Sequence, residues 1–176
     1  MLSPSSSLIS NPIRSVLVTD KKVAMVIKGT SMLPYLEEGD RVWLQMTEAN
    51  RLRPGDLVAF ELNQTIFTHR LIRKAPNFLL TKGDNCFFPD PSITLDQILG
   101  KVIAFEKDGK IYRLEGKRVG INRILGYGHY GVGLVGQTLL LILRWTQGRL
   151  RRPLFWIGRG ALLPLKIIER ILIYAS

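Results

Sequence analysis

The sequence predicts a mostly-β module of coiled antiparallel sheets, followed by a helical tail of mixed apolar and basic character. Three observations carry this. Up to about residue 115 the apolar residues fall in short alternating or β-branched runs, with turn residues between them. No long helical period appears before residue 119. Beyond that point the charge balance changes abruptly: residues 1–109 carry 13 Lys/Arg against 12 Asp/Glu, whereas residues 110–176 carry 12 against Glu115 and Glu169 alone. Nearly all of the net charge of +11 therefore sits in the last third of the chain.

The elements follow in order. Residues 1–15 (MLSPSSSLIS and onward) are Ser/Pro-rich, without the basic and apolar regions of a secretory signal or anchor. They are expected to form a flexible N-terminal segment, and the β domain is expected to span 16–115. Its strands are predicted at 23–28, 41–46, 57–61, 66–73, 78–82, 98–106 and 110–114. Pro54-Gly55, Gly83-Asp84-Asn85 and Lys107-Asp108-Gly109 mark three of the turns. Residues 116–136 are glycine-rich, either a flexible joint or a small-residue packing surface, and are assigned as a joint.

The tail, 137–176, is predicted to be an amphipathic helix. Arg152, Arg159, Lys166 and Arg170 share one side, and Leu and Ile fill much of the remainder. Such a helix suits an anionic membrane surface. The alternative is a helix packed on the domain or on a partner. Cations interleaved with Leu and Ile, rather than with aromatic residues on a sheet, disfavour nucleic acid as the partner. With a composition 46% hydrophobic and 22% charged, wholesale disorder is excluded. The single Cys86 allows no internal disulfide, and it reads as a small, partly buried hydrophobe. Neither a metal nor another cofactor is expected, because no His/Cys/Asp/Glu set has ligand spacing. His129, among glycines and tyrosines, reads as structural or exposed.

A serine hydroxyl is a poor nucleophile unless a base within hydrogen-bond reach takes its proton and a third group orients that base. Ser31 lies just after a strand in a glycine-containing turn, and His69 lies mid-strand on an alternating segment. Singly each is unremarkable. Their surroundings form ordered islands: GTSMLPYLEEGD at 29–40, RPGDLVAF at 53–60, THR at 68–70, TKGDN at 81–85 with Asp90 beyond it, and GKV at 100–102.

These islands, across residues 24–107, resemble the signature of type I signal peptidases, in the Ser-His form found in endoplasmic-reticulum and archaeal members. The resemblance implies the coiled β fold shared with self-cleaving repressors. It implies a serine endopeptidase that needs no cofactor and acts on a peptide or protein precursor. It also implies Ser31 as nucleophile, His69 as base, Asp90 as the third member and Asp84 as an acid that orders the site. Gly29, Thr30 and Met32 are expected to line the substrate site, Met32 either as a pocket wall or as core. Gly29 stands where some members carry a serine that helps hold the oxyanion, so a donor beyond the Ser31 amide is expected from Thr30 or water. The self-cleaving type uses a lysine base and cuts Ala-Gly or Cys-Gly, dipeptides absent from this sequence. Attachment is expected through the tail at the cytoplasmic face of a membrane. The competing expectation is a non-catalytic module on a peptidase-like fold that binds a membrane or partner.

Overall fold

The structure is a computed structural model and describes residues 12–145, 160 and 162–171. After helix α1 (Pro12–Asp20) come strands β1 (Lys22–Val26), β2 (Arg41–Gln45), β3 (Leu57–Leu62), β4 (Thr65–Lys74), β5 (Leu79–Lys82), β6 (Ile98–Lys107) and β7 (Lys110–Arg113), then helix α2 (Lys117–Trp145). Residues 162–171 are also helical. The seven predicted strands are the seven found, with no end moved by more than two residues. All pairings are antiparallel, in the order β1-β2-β6-β3-β4-β5, with β7 also on β6. The predicted coiled antiparallel fold class is therefore correct.

The coil comes from β6. Its 98–101 stretch pairs with β3, 101–106 with β2 and 104–107 with β7. Register shifts at Trp43/Leu44, Ala59/Phe60 and Leu71/Arg73 bend the strands further. Alternation then divides the side chains of β3 between two cores. Leu57 and Ala59 join one that contains Met32, Tyr35, Leu36, Val102, Phe105 and Leu125. Val58 and Phe60 join a second with Leu52, Leu71, Leu79 and Ile93.

Two boundary assignments need correction. The flexible segment was expected to run through residue 15, yet α1 begins at Pro12, a residue suited to a first helical turn. Ile13 and Leu17, one turn apart, pack into the first core, and Leu17 is only 2% exposed. The remainder of that segment, 1–11, lies outside the described residues. Residues 117–136 belong to α2 rather than to a joint. Glycine disfavours helix by about 1 kcal/mol per residue, but here packing overrides the preference. Asn122, Gly126, His129, Gly133 and Gly136 recur at heptad spacing on one face. A Cβ on Gly126 would come within 2.4 Å of Gly55 N, and one on Gly133 within 3.0 Å of Pro89. The small-residue packing surface is thus the correct alternative for this stretch.

Much of the predicted tail, 146–159, lies outside the described residues, Arg152 and Arg159 included. The 162–171 helix packs one side on the domain: Leu162 and Glu169 are buried, and Leu165 stands where a Cβ on Gly128 would fall. Leu163, Ile167 and Ile171 on its other side stay exposed. No helix among the described residues is long and apolar enough to cross a membrane.

The glycine stripe makes a testable contrast. Gly126→Val forces a side chain into the Gly55 backbone and should cost about 1–3 kcal/mol. Gly131, on the same helix, has nothing within 4 Å of an added Cβ. Gly131→Ala should stabilise by roughly 0.5–1 kcal/mol through helix propensity. Thermal melts of both variants check the pair.

Candidate active site

Alternation along β4 sends two consecutive side chains in opposite directions. His69 pairs in register with Val58 and packs near the Phe60 and Phe67 rings. Its Nε2 lies 2.9 Å from Ser31 Oγ and its Nδ1 lies 2.7 Å from Asp90 Oδ2. Since a carboxylate only accepts, Nδ1–H donates to Asp90 and Nε2 is left to accept the Ser31 hydroxyl proton. Thr81 Oγ1 donates to the same Asp90 oxygen at 2.7 Å, and the Asp90 amide donates to Thr81 O at 2.9 Å. Thr81 thus aims the carboxylate at the imidazole, a role the sequence reading missed. His69 is 4% exposed while Ser31 stays partly open to solvent. A buried imidazole beneath an accessible hydroxyl is the arrangement nucleophilic attack requires.

Arg70 points the other way and is fully buried. Its Nε and Nη2 grip Asp84 Oδ1 and Oδ2 at 2.8 and 2.6 Å. Nη1 donates to Gly55 O and Asn122 Oδ1, and the guanidinium lies over the Tyr35 ring at 4.9 Å. Asp84 therefore does not touch the imidazole. The carboxylate on the imidazole is that of Asp90, and Asp84 lies behind β4 in the grip of Arg70. Burial raises the Asp84 pKa, but the Arg70 charge outweighs it and holds the carboxyl below its ordinary value.

Of the three residues expected to line the substrate site, Gly29 and Thr30 are exposed, with Gly29 at φ 80°. Met32 needs correction as a pocket wall: it is 2% exposed and belongs to the first core. Its thioether fills the space beneath the turn and so anchors the nucleophile. Thr30 O accepts from Asn85 Nδ2 at 3.0 Å, and Ser31 O accepts from the Asn85 amide at 2.8 Å. Gly83 lets this approach occur, since a Cβ there would lie 2.7 Å from Ser31 O. Cys86 is partly buried, and burial followed by the Asp90 charge pushes its thiol pKa up. That suits an inert thiol.

Behind the site lies a buried network that strand alternation does not disclose. Arg70 and Lys82, cations at or near strand ends where solvated side chains are the ordinary expectation, are both fully buried. His129 is buried as well, with Nε2 2.8 Å from Glu169 Oε1 and 3.2 Å from Asp84 Oδ1. Lys82 Nζ lies 3.0 Å from His129 Nδ1 and donates to Gly83 O. Contrary to the expectation from spacing, Asp84, His129 and Glu169 bring ligand-type atoms within 4.8 Å of one another. Arg70 and Lys82 already bring two positive charges to the group, with Arg70 gripping Asp84, so it is poorly suited to a further cation. Burial pushes His129 down to about 3 and Lys82 down to about 8, against the pull of Asp84 on both. Burial, then Asp84, raises Glu169 to about 9. Its Oε2 has no hydrogen-bond partner, as suits a neutral acid better than a carboxylate.

A pH signature follows. Above about pH 6.5 the unfolded chain has lost the Glu169 proton that the native state keeps, so stability falls as pH rises toward 8. The contribution is up to about 1.4 kcal/mol per pH unit. Between roughly 4.5 and 6.5, unfolding also lets His129 take up a proton, and the two effects oppose each other. Urea melts from pH 6.5 to 8 should show a steeper decline for wild type than for Glu169→Gln, which has no proton to lose.

A comparison with curated proteins finds no match. A family model described as Peptidase S24-like matches residues 9–103, from the lead into α1 to the middle of β6. That span holds Ser31, His69, Asp84 and Asp90 and stops short of α2. By fold and by this match, the chain belongs to the Peptidase S24-like family.

Proposed function

We propose that the chain is a serine endopeptidase of the type I signal peptidase kind, cleaving a peptide or protein precursor at a membrane surface. The observation that carries this reading is the unbroken line from Ser31 Oγ through the His69 ring to Asp90, at 2.9 and 2.7 Å. His69 takes the Ser31 proton as Oγ attacks the scissile carbonyl, and Asp90 stabilises the imidazolium that forms. The Ser31 amide holds the developing oxyanion. His69 then protonates the leaving amine and activates the water that hydrolyses the acyl-enzyme. A lysine base of the self-cleaving kind gains no support, because Lys82 Nζ is engaged by Gly83 O and His129. A non-catalytic module has no need of the Thr81 contact that orients Asp90.

Membrane attachment rests on the 162–171 helix, where exposed Leu163, Ile167 and Ile171 are joined by the exposed cation Arg170. The cytoplasmic leaflet, rich in anionic lipid, is the surface that suits this charge.

Peptide-library cleavage should vanish with Ser31→Ala and with His69→Ala. Asp90→Asn should cut kcat by about 10⁴-fold. Cleavage that survives Ser31→Ala sinks the proposal. The full chain should float with anionic vesicles, less so as salt rises. The triple variant L163S/I167S/I171S should remain in the soluble fraction, and equal flotation of the two proteins removes the membrane claim.

A further inference from the structure

The stretch Lys82-Gly83-Asp84-Asn85 is gripped from two sides. Gly83 and Asn85 press on the nucleophile turn: Asn85 donates to Ser31 O and Thr30 O, and Gly83 lies against the Ser31 backbone. Lys82 and Asp84 face the opposite way, into the buried network. There the matched family region supplies Arg70, itself held by Gly55 O and the Tyr35 ring. His129 comes from α2 and Glu169 from the 162–171 helix, both beyond residue 103. The same helix also reaches Asn85, through Lys166 Nζ, which donates to Asn85 Oδ1 at 2.5 Å.

We propose that His129, Glu169 and Lys166 are positioning residues. They dock the C-terminal helix behind residues 82–85 and so hold the Ser31 backbone where its hydroxyl meets His69. The physical reason is rigidity. Side chains committed to fixed hydrogen bonds in and beside a buried network have few alternative arrangements, and the strand-end loop they hold contacts the nucleophile turn through two backbone-directed bonds. A shift of about 1 Å in a reacting group costs on the order of 10²-fold in rate. Chain beyond the matched residues therefore sets the activity of a site to which it contributes no reacting atom. The activity part of this inference rests on the peptidase reading. The positioning part does not.

The test uses the full chain in three variants: Lys166→Ala, Glu169→Ala and Glu169→Gln. Each is assayed well below its own melting temperature. Two quantities are read, the hydrogen-exchange rate of the Asn85 amide and the rate at which a fluorophosphonate labels Ser31. Lys166→Ala lies at the rim of the contact and leaves the core intact, so it keeps the test decisive even if Glu169→Ala fails to fold. Lys166→Ala and Glu169→Ala should quicken Asn85 exchange by about tenfold or more and slow labelling by up to about 10²-fold. Glu169→Gln keeps the shape and neutrality of the acid and should restore both. Unchanged exchange overturns the inference. So does faster exchange with wild-type labelling, which would leave the helix a structural clamp only. If wild type is never labelled, the peptidase reading falls, and the exchange rates alone decide the positioning claim.

Discussion

The buried ion pair between Arg70 and Asp84 is the contact on which the site depends. Both side chains are fully excluded from water and meet through two parallel hydrogen bonds. Such a pair adds little net stability over well-packed apolar residues, but losing one partner costs about 3–5 kcal/mol because the other is stranded. What the pair supplies is position. It fastens the turn after β5 to the middle of β4, beside His69. The turn carries Gly83 and Asn85 against Ser31, and the chain beyond it returns Asp90 to the imidazole. One strand thus performs two tasks through alternation, with the reactive imidazole on one side and the structural cation on the other.

The sequence shows the sheet clearly because its rules are local. Alternation and turn glycines locate all seven strands, and the ordered islands pick out Ser31, His69 and Asp90 before any coordinates. The division of labour between the two acids of the loop after β5 comes from the family resemblance alone, since spacing does not reveal where the loop folds back. Asp84 and Asp90 are six residues apart and serve opposite faces of β4.

What stayed hidden arises from distance or from packing that overrides propensity. A run with Gly126, Gly128, Gly131, Gly133 and Gly136 has the composition of a hinge, and only the close approach of Gly55, Pro89 and Phe88 explains a helix there. Lys82 and Arg70 resemble solvated strand ends until α2 covers them. Glu169 is one of only two acids in the basic third of the chain. That rarity was the one available signal, and it marks the residue that enters the core. The apolar face of the tail was legible, but not that its other face packs on the domain.

Activation of Ser31 by His69 is the step on which the proposed chemistry depends. The most direct measurement is intact-mass and peptide mapping after exposure of the full chain to a fluorophosphonate. A single adduct on Ser31, formed by wild type and absent from an otherwise folded His69→Ala variant, is the predicted result. A folded wild-type protein that takes up no adduct, or an adduct on Ser31 that forms equally well without the imidazole, contradicts it.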